Sequence, residues 1–146
     1  MKVYFDTNVL VAALKAEHSH HARSLAAVVR VRRGEMAGCT SAHALTEIYS
    51  VLTRTPFVVP VYPDEALAMI EQSILPLIEI VEVSRQSYLA AIAVCGNAGW
   101  KGGRVHDAVH IQAAVQAGCD SIYSFDVAHF ESLAPEWRGR IQSPPA

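Results

Sequence analysis

Apolar positions fall into two patterns along this chain: short β-branched or aromatic runs that suit buried strands, and longer stretches with helical periodicity. The run Val3-Tyr4-Phe5 ends in Asp6-Thr7-Asn8 and hands over to Val9–Ala16, which reads as a helix. His20–Arg33 predicts a second helix, closed by Gly34 as its C-terminal cap. Met36–Cys39 reads as a short strand, after which Ser41 caps a helix to Thr55, where Pro56 stops it. An extended link, Phe57–Tyr62, leads to a helix opened by Pro63-Asp64-Glu65 and running to Leu77. Ile78–Val83 is the next strand, and Ser84 caps a helix through Cys95. A glycine-rich loop, Gly96–Arg104, then feeds a helix over Val105–Ala117 that is apolar round most of its circumference and is therefore expected to be buried. Gly118 ends it, Ser121–Asp126 repeats the strand-then-acid pattern, Val127–Leu133 is a short helix, and Arg140–Gln142 is an edge strand. This alternation predicts an α/β fold of three α/β/α layers around a parallel sheet.

Composition narrows the function classes. A chain of 146 residues is sized for one domain, expected over residues 1–142, with Ser143-Pro144-Pro145-Ala146 as a frayed tail. Net charge is −2, from 12 basic and 14 acidic residues, so bulk attraction to nucleic acid is excluded and any such contact must be local. No apolar stretch is long enough for a membrane span, and Val9–Leu14 is shorter than a signal-peptide core. Cys39, Cys95 and Cys119, odd in number and widely separated in the chain, read as reduced core thiols of a cytoplasmic protein.

The chemistry lies with four acids. Asp6 and Asp126 each follow a predicted strand, where the functional groups of open parallel sheets gather. Glu47 borders the apolar stripe Leu45, Ile48 and Leu52, while Asp107 shares a buried stripe with Ile111 and Ala114. Each has a plain alternative: Asp6 or Thr7 as a helix cap, Glu47 as a surface charge, and Asp107 compensated by its helix N-terminus. Together, four converging carboxylates call for a hard divalent cation, Mg²⁺ or Mn²⁺, since Zn²⁺ would want histidines and thiols absent from the set. Such a site activates water against a phosphodiester, which makes a nucleic-acid backbone the natural substrate. Lys101 and Arg104 are the first candidates for phosphate contact. Arg32 and Arg33 belong to the densest basic patch, which reads either as a solvated last turn or as a second RNA contact. Glu17-His18-Ser19-His20-His21 reads as a solvated loop, because nothing nearby completes a metal-ligand set. Two rival functions remain: a zinc peptidase using His106 and His110 in a loose likeness of the HExxH helix, and a catalytically inactive binding module whose acids are caps.

Four features together resemble the PIN-domain nucleases, and among them the VapC-type toxins of bacterial toxin–antitoxin pairs. They are Asp6-Thr7-Asn8 after an apolar strand, Glu47 on the third helix, Gly103-x-x-x-Asp107-Ala108 opening a buried helix, and Ser124-x-Asp126 with Phe130 four residues on. The match covers nearly the whole chain. It implies a parallel sheet of about five strands, Mg²⁺- or Mn²⁺-dependent endoribonuclease activity, a homodimer, and inhibition by a small cognate antitoxin whose tail enters the acidic pocket. It also implies that Asp6, Glu47 and Asp107 are metal ligands, that Asp126 is a fourth acid acting through water or a second ion, and that Thr7, Asn8 and Ser124 are polar supports. Ser124 stands where many relatives carry threonine, and the fourth acid is the position at which they vary most.

Overall fold

The computed structural model describes residues 1–146. Five strands form one parallel sheet: β1 (Lys2–Phe5), β2 (Ala37–Ser41), β3 (Glu79–Val81), β4 (Ser121–Tyr123) and β5 (Ile141–Gln142), in the order β3-β2-β1-β4-β5. Seven α-helices connect or follow them: α1 (Thr7–Leu14), α2 (His21–Arg32), α3 (Ala42–Arg54), α4 (Pro63–Met69), α5 (Arg85–Ala98), α6 (Arg104–Gln116) and α7 (Val127–Leu133). Side-chain alternation along β1 divides the interior into two cores. Val3 and Phe5 pack with α1, α2, α3 and α4 on one face, while Tyr4 packs with α5, α6 and α7 on the other.

Chain order departs from spatial order at one place. The chain steps outward from β1 to β2 to β3, then returns through α5 and α6 to β4 on the other side of β1. The reversal opens a crevice beyond the carboxyl ends of β1 and β4, the usual place for a site in an open α/β sheet.

Several element boundaries differ from the sequence expectation. The first helix begins at Thr7 and ends at Leu14. The helix expected to run from Pro63 to Leu77 is α-helical only to Met69 and continues as a π segment, Ile70–Ile74, in which the Leu75 amide donates to the Ile70 carbonyl. The wider turn keeps Ile70 and Ile74 on the same buried side. Gly96 lies inside α5; Gly99, at φ +73°, takes the left-handed capping position and shortens the expected loop to the residues before α6. In α3 the buried stripe is Ala44, Ile48 and Leu52, with Leu45 only half-buried.

Tertiary contacts also join residues distant in sequence. Cys39 and Cys119 are free and buried, as expected of core thiols, and their sulfurs meet 3.0 Å apart. The tail expected to fray is held in place: Arg23 Nε donates to the Pro144 carbonyl at 2.7 Å, and Pro144 is buried. No helix is long and apolar enough to cross a membrane.

Candidate active site

β1 delivers Asp6 to the floor of the crevice. Its backbone is extended and occupies the N-cap position of α1, yet its side chain makes no capping bond. Instead Oδ2 accepts a hydrogen bond from Ser124 Oγ at 2.9 Å, so the plain cap reading of Asp6 does not hold. Asp6 is 3% exposed, and burial pushes its carboxyl up to about 6, against the opposing pull of His110 and Ser124. Thr7 is buried beside it, its Oγ1 3.4 Å from His110 Nε2.

α6 brings in Asp107 and His110, one turn apart on the same side of the helix. Ligand atoms of Asp6, Asp107 and His110 all lie within 4.8 Å of one another. Asp107 is half-buried, and burial raises its carboxyl despite His110 and His129, whose Nε2 lies 2.8 Å from Asp107 Oδ2. Glu47 approaches from α3, its Oε1 2.6 Å from His110 Nε2 and 3.8 Å from His43 Nε2. Burial alone would push the Glu47 carboxyl up, but the His110 bond and the surrounding histidines hold it below the ordinary value.

His110, which the sequence offered only as half of a zinc-peptidase pair, joins the acid cluster instead. It is fully buried, with Nδ1 2.7 Å from the Tyr4 hydroxyl and Nε2 on Glu47. Burial would lower its pKa, but Tyr4, Glu47 and Asp6 raise it well above the ordinary histidine value. Nε2 faces the Glu47 carboxylate and donates to it, while Nδ1 shares a hydrogen bond with the Tyr4 hydroxyl, so both ring nitrogens are engaged among three acids. A usable signal was present: His110 lies on the same buried helical stripe as Asp107, where an ionisable residue requires partners.

A histidine therefore does stand in the acid cluster, contrary to the expectation that none would. With both nitrogens engaged, however, it has no lone pair to give a metal, and the available donors are carboxylate oxygens. The paired carboxylates of buried Asp6 and half-buried Asp107 fit a hard divalent cation on that ground. His106, the other member of the zinc-peptidase pair, points elsewhere. It is exposed and stacks on His43, with ring centroids 5.1 Å apart.

The fourth acid stays outside the tight group. Asp126 is exposed, and its side chain meets only Asn8, whose Nδ2 donates to Oδ2 at 3.4 Å. Ser124 joins the two halves, donating to Asp6 and accepting from the Asp126 amide at 3.0 Å.

The candidate RNA contacts are scattered. Lys101 is exposed in the short loop before α6. Arg104 is committed internally, lying over Trp100 and donating to Ser132 Oγ at 3.1 Å. Arg32 and Arg33 close α2 just before β2 begins, which puts them toward the amino ends of the strands, opposite the end that carries the acids; Arg33 also pairs with Glu35 at 3.9 Å.

Comparison with known proteins places this geometry. A family model described as the PIN domain matches residues 3–134. Among solved structures, Mycobacterium tuberculosis VapC20, described as a sarcin–ricin loop cleaving toxin, superposes with a TM-score of 0.69 at 17% identity, over 90% of this chain and 95% of that one. Rickettsia felis VapBC2 bound to a promoter DNA fragment gives a TM-score of 0.66 at 13% identity over 98% of both chains. Neisseria gonorrhoeae FitAcB gives 0.65 at 17% identity over 97% of both. No curated protein matches the chain.

Proposed function

This chain belongs to the PIN-domain family, and we propose that within it the protein is a metal-dependent endoribonuclease of the VapC type, the toxin of a toxin–antitoxin pair. The observation that carries the reading is the pair of carboxylates, buried Asp6 and half-buried Asp107, at the point where the strand order reverses. Both are raised by burial, as carboxylates are when a site is built for a charge it does not itself contain. Asp6 and Asp107, with Glu47 beside them, would hold Mg²⁺ or Mn²⁺. When bound, the ion supplies an activated water and neutralises charge developing on the phosphodiester.

The surrounding residues hold these acids in place. Ser124 fixes one oxygen of Asp6, and the other lies 3.8 Å from His110 Nε2. Tyr4 and Glu47 clamp the His110 ring from its two ends, so Glu47 is oriented through His110 toward the same space. Asp126 and Asn8 form an outer polar rim suited to a water-mediated or second-ion role. The resemblance in fold to VapC20, VapBC2 and FitAcB supports a small antitoxin as partner. Leu89 and Ile92, exposed one turn apart on α5, offer apolar surface for a second copy in a homodimer.

Cleavage of RNA by the purified protein, first in excess chelator and then with Mg²⁺, Mn²⁺ or Zn²⁺ restored, tests the proposal. Cutting should return with Mg²⁺ or Mn²⁺ and be absent in chelator. Undiminished cutting in chelator would remove the metal from the reading.

A further inference from the structure

A polar cleft of about 460 Å³ opens beside the acids and runs along α3, with Glu47 in its wall. Its walls are His43, Thr46, Ser50, Val51, Arg54 and His106, so apart from Glu47 and the apolar Val51 it presents polar and basic side chains. That volume accommodates a small-molecule-sized group such as one nucleotide. Glu47 and Arg54 are seven residues apart on one helix, about 10 Å along its axis at 1.5 Å per residue.

Arg54 stands out from the other cations. Eight of the chain's 12 basic residues are engaged within the protein: Lys2, Lys15, Arg23, Arg30, Arg33, Arg104, Arg138 and Arg140. Four remain without a side-chain partner, Arg32, Arg54, Arg85 and Lys101, and of these only Arg54 lines the cleft that holds Glu47. At the His43 end of the cleft, on the other side of Glu47 from Arg54, His106 presents an exposed ring. Its Nδ1 lies 3.0 Å from His43 Nε2 with the two ring planes 19° apart, so the ring is pinned at its edge; Tyr88 in turn braces His43 edge-on. An exposed ring pinned at its edge is a shelf on which a base can stack.

We propose that this cleft is the track for the RNA strand next to the cleavage point, with the His106 ring under a neighbouring base and Arg54 on a neighbouring phosphate. It rests on the ribonuclease activity proposed above and adds the residues by which an acidic protein holds an anionic strand. The bland role for Arg54 is that of a cation at the end of a helix, where the dipole favours it.

The test is binding of a fluorescent, mixed-sequence, single-stranded oligoribonucleotide in excess chelator across a salt series, with each variant checked by thermal melting. Arg54→Ala should weaken binding and flatten the slope of log affinity against log salt by about 0.7, one phosphate contact, while Arg54→Lys keeps the slope. His106→Ala should weaken binding by about fivefold or more without changing the slope. Arg32→Ala, toward the other end of the strands, should change neither. Wild-type affinity and slope in Arg54→Ala, with wild-type protein still cutting RNA, would overturn the track and leave the nuclease reading standing. Wild-type protein that neither binds nor cuts RNA would sink both. If Arg54→Ala keeps RNA binding but loses binding of a polyglutamate peptide, the cleft belongs to an acidic protein segment and the inference fails.

Discussion

Asp6 and Asp126 follow neighbouring parallel strands in much the same sequence pattern, an apolar run closed by an acid, yet they meet opposite environments. Asp6 is buried, bonded to Ser124 and pushed up to about 6; Asp126 is exposed and touches only Asn8. Register explains the difference. Phe5 pairs with Tyr123, so the residue level with Asp6 is Ser124, and Asp126 lies two residues further out. The residue immediately past a central strand is enclosed by helices on both faces, whereas two more residues carry the chain to the rim. Distance beyond the strand end thus decides which acid is held under electrostatic strain and which is free to meet solvent.

The largest expected effect is at the inner acid. Asp6→Asn should lower RNA cutting by more than about 100-fold, since it removes one carboxylate from the pair proposed to hold the ion. In metal-free protein near pH 7 the same change should raise the melting temperature, because ionised Asp6 carries a burial cost of order 3 kcal/mol. The sign follows from linkage. A carboxyl raised from 3.8 to about 6 on folding binds its proton more tightly in the folded state, so wild type loses stability as pH rises between those values, and Asp6→Asn should not. Melting curves of both proteins from pH 4 to 7 in chelator measure the gap. A gap that stays constant with pH, or a mutant melting below wild type at pH 7, would show that the Asp6 carboxylate is stabilised as it stands.

Removing the internal cation should have the opposite consequence for stability. His110→Gln leaves Glu47 and Asp6 without their buried counter-charge and should destabilise metal-free protein by about 3 kcal/mol. With its folded pKa raised, His110 contributes fully below its unfolded value and loses that contribution as pH rises through the folded one. The difference between wild type and His110→Gln should therefore be widest in mild acid and narrow toward alkaline pH. A difference that widens with pH would mean that His110 is neutral in the fold and acts only by packing.

At the outer rim the effects should be smallest. Asp126→Asn should change stability by no more than about 0.5 kcal/mol, as expected for an exposed residue with one long hydrogen bond. Its effect on cutting should remain well short of that at Asp6. Equal losses of activity at the two positions would show that the rim acid enters the site when substrate or metal is bound.

Much of this was legible in the chain. Apolar periodicity and the glycine, proline and serine stops placed every strand, and every α-helix but the end of α4, to within a few residues, because these signals are local and the backbone answers to them locally. Asp6, Glu47 and Asp107 could be singled out because each is an acid in or beside an apolar stripe, where charge needs compensation. The identity of the compensating group lay beyond local signals. His110 reaches Tyr4 across 106 residues of chain and Glu47 across 63, and Ser124 reaches Asp6 across 118. Strand order and register create those meetings, and they also decided that Asp126 stays at the rim, that Arg104 is spent on Trp100 and Ser132, and that Arg54 faces the acids along an open cleft. The sequence determined which residues could carry charge into the interior. Only the packed sheet decided which of those charges share a site, because hydrogen bonds and Coulomb forces act over a few ångströms of space without regard to separation along the chain.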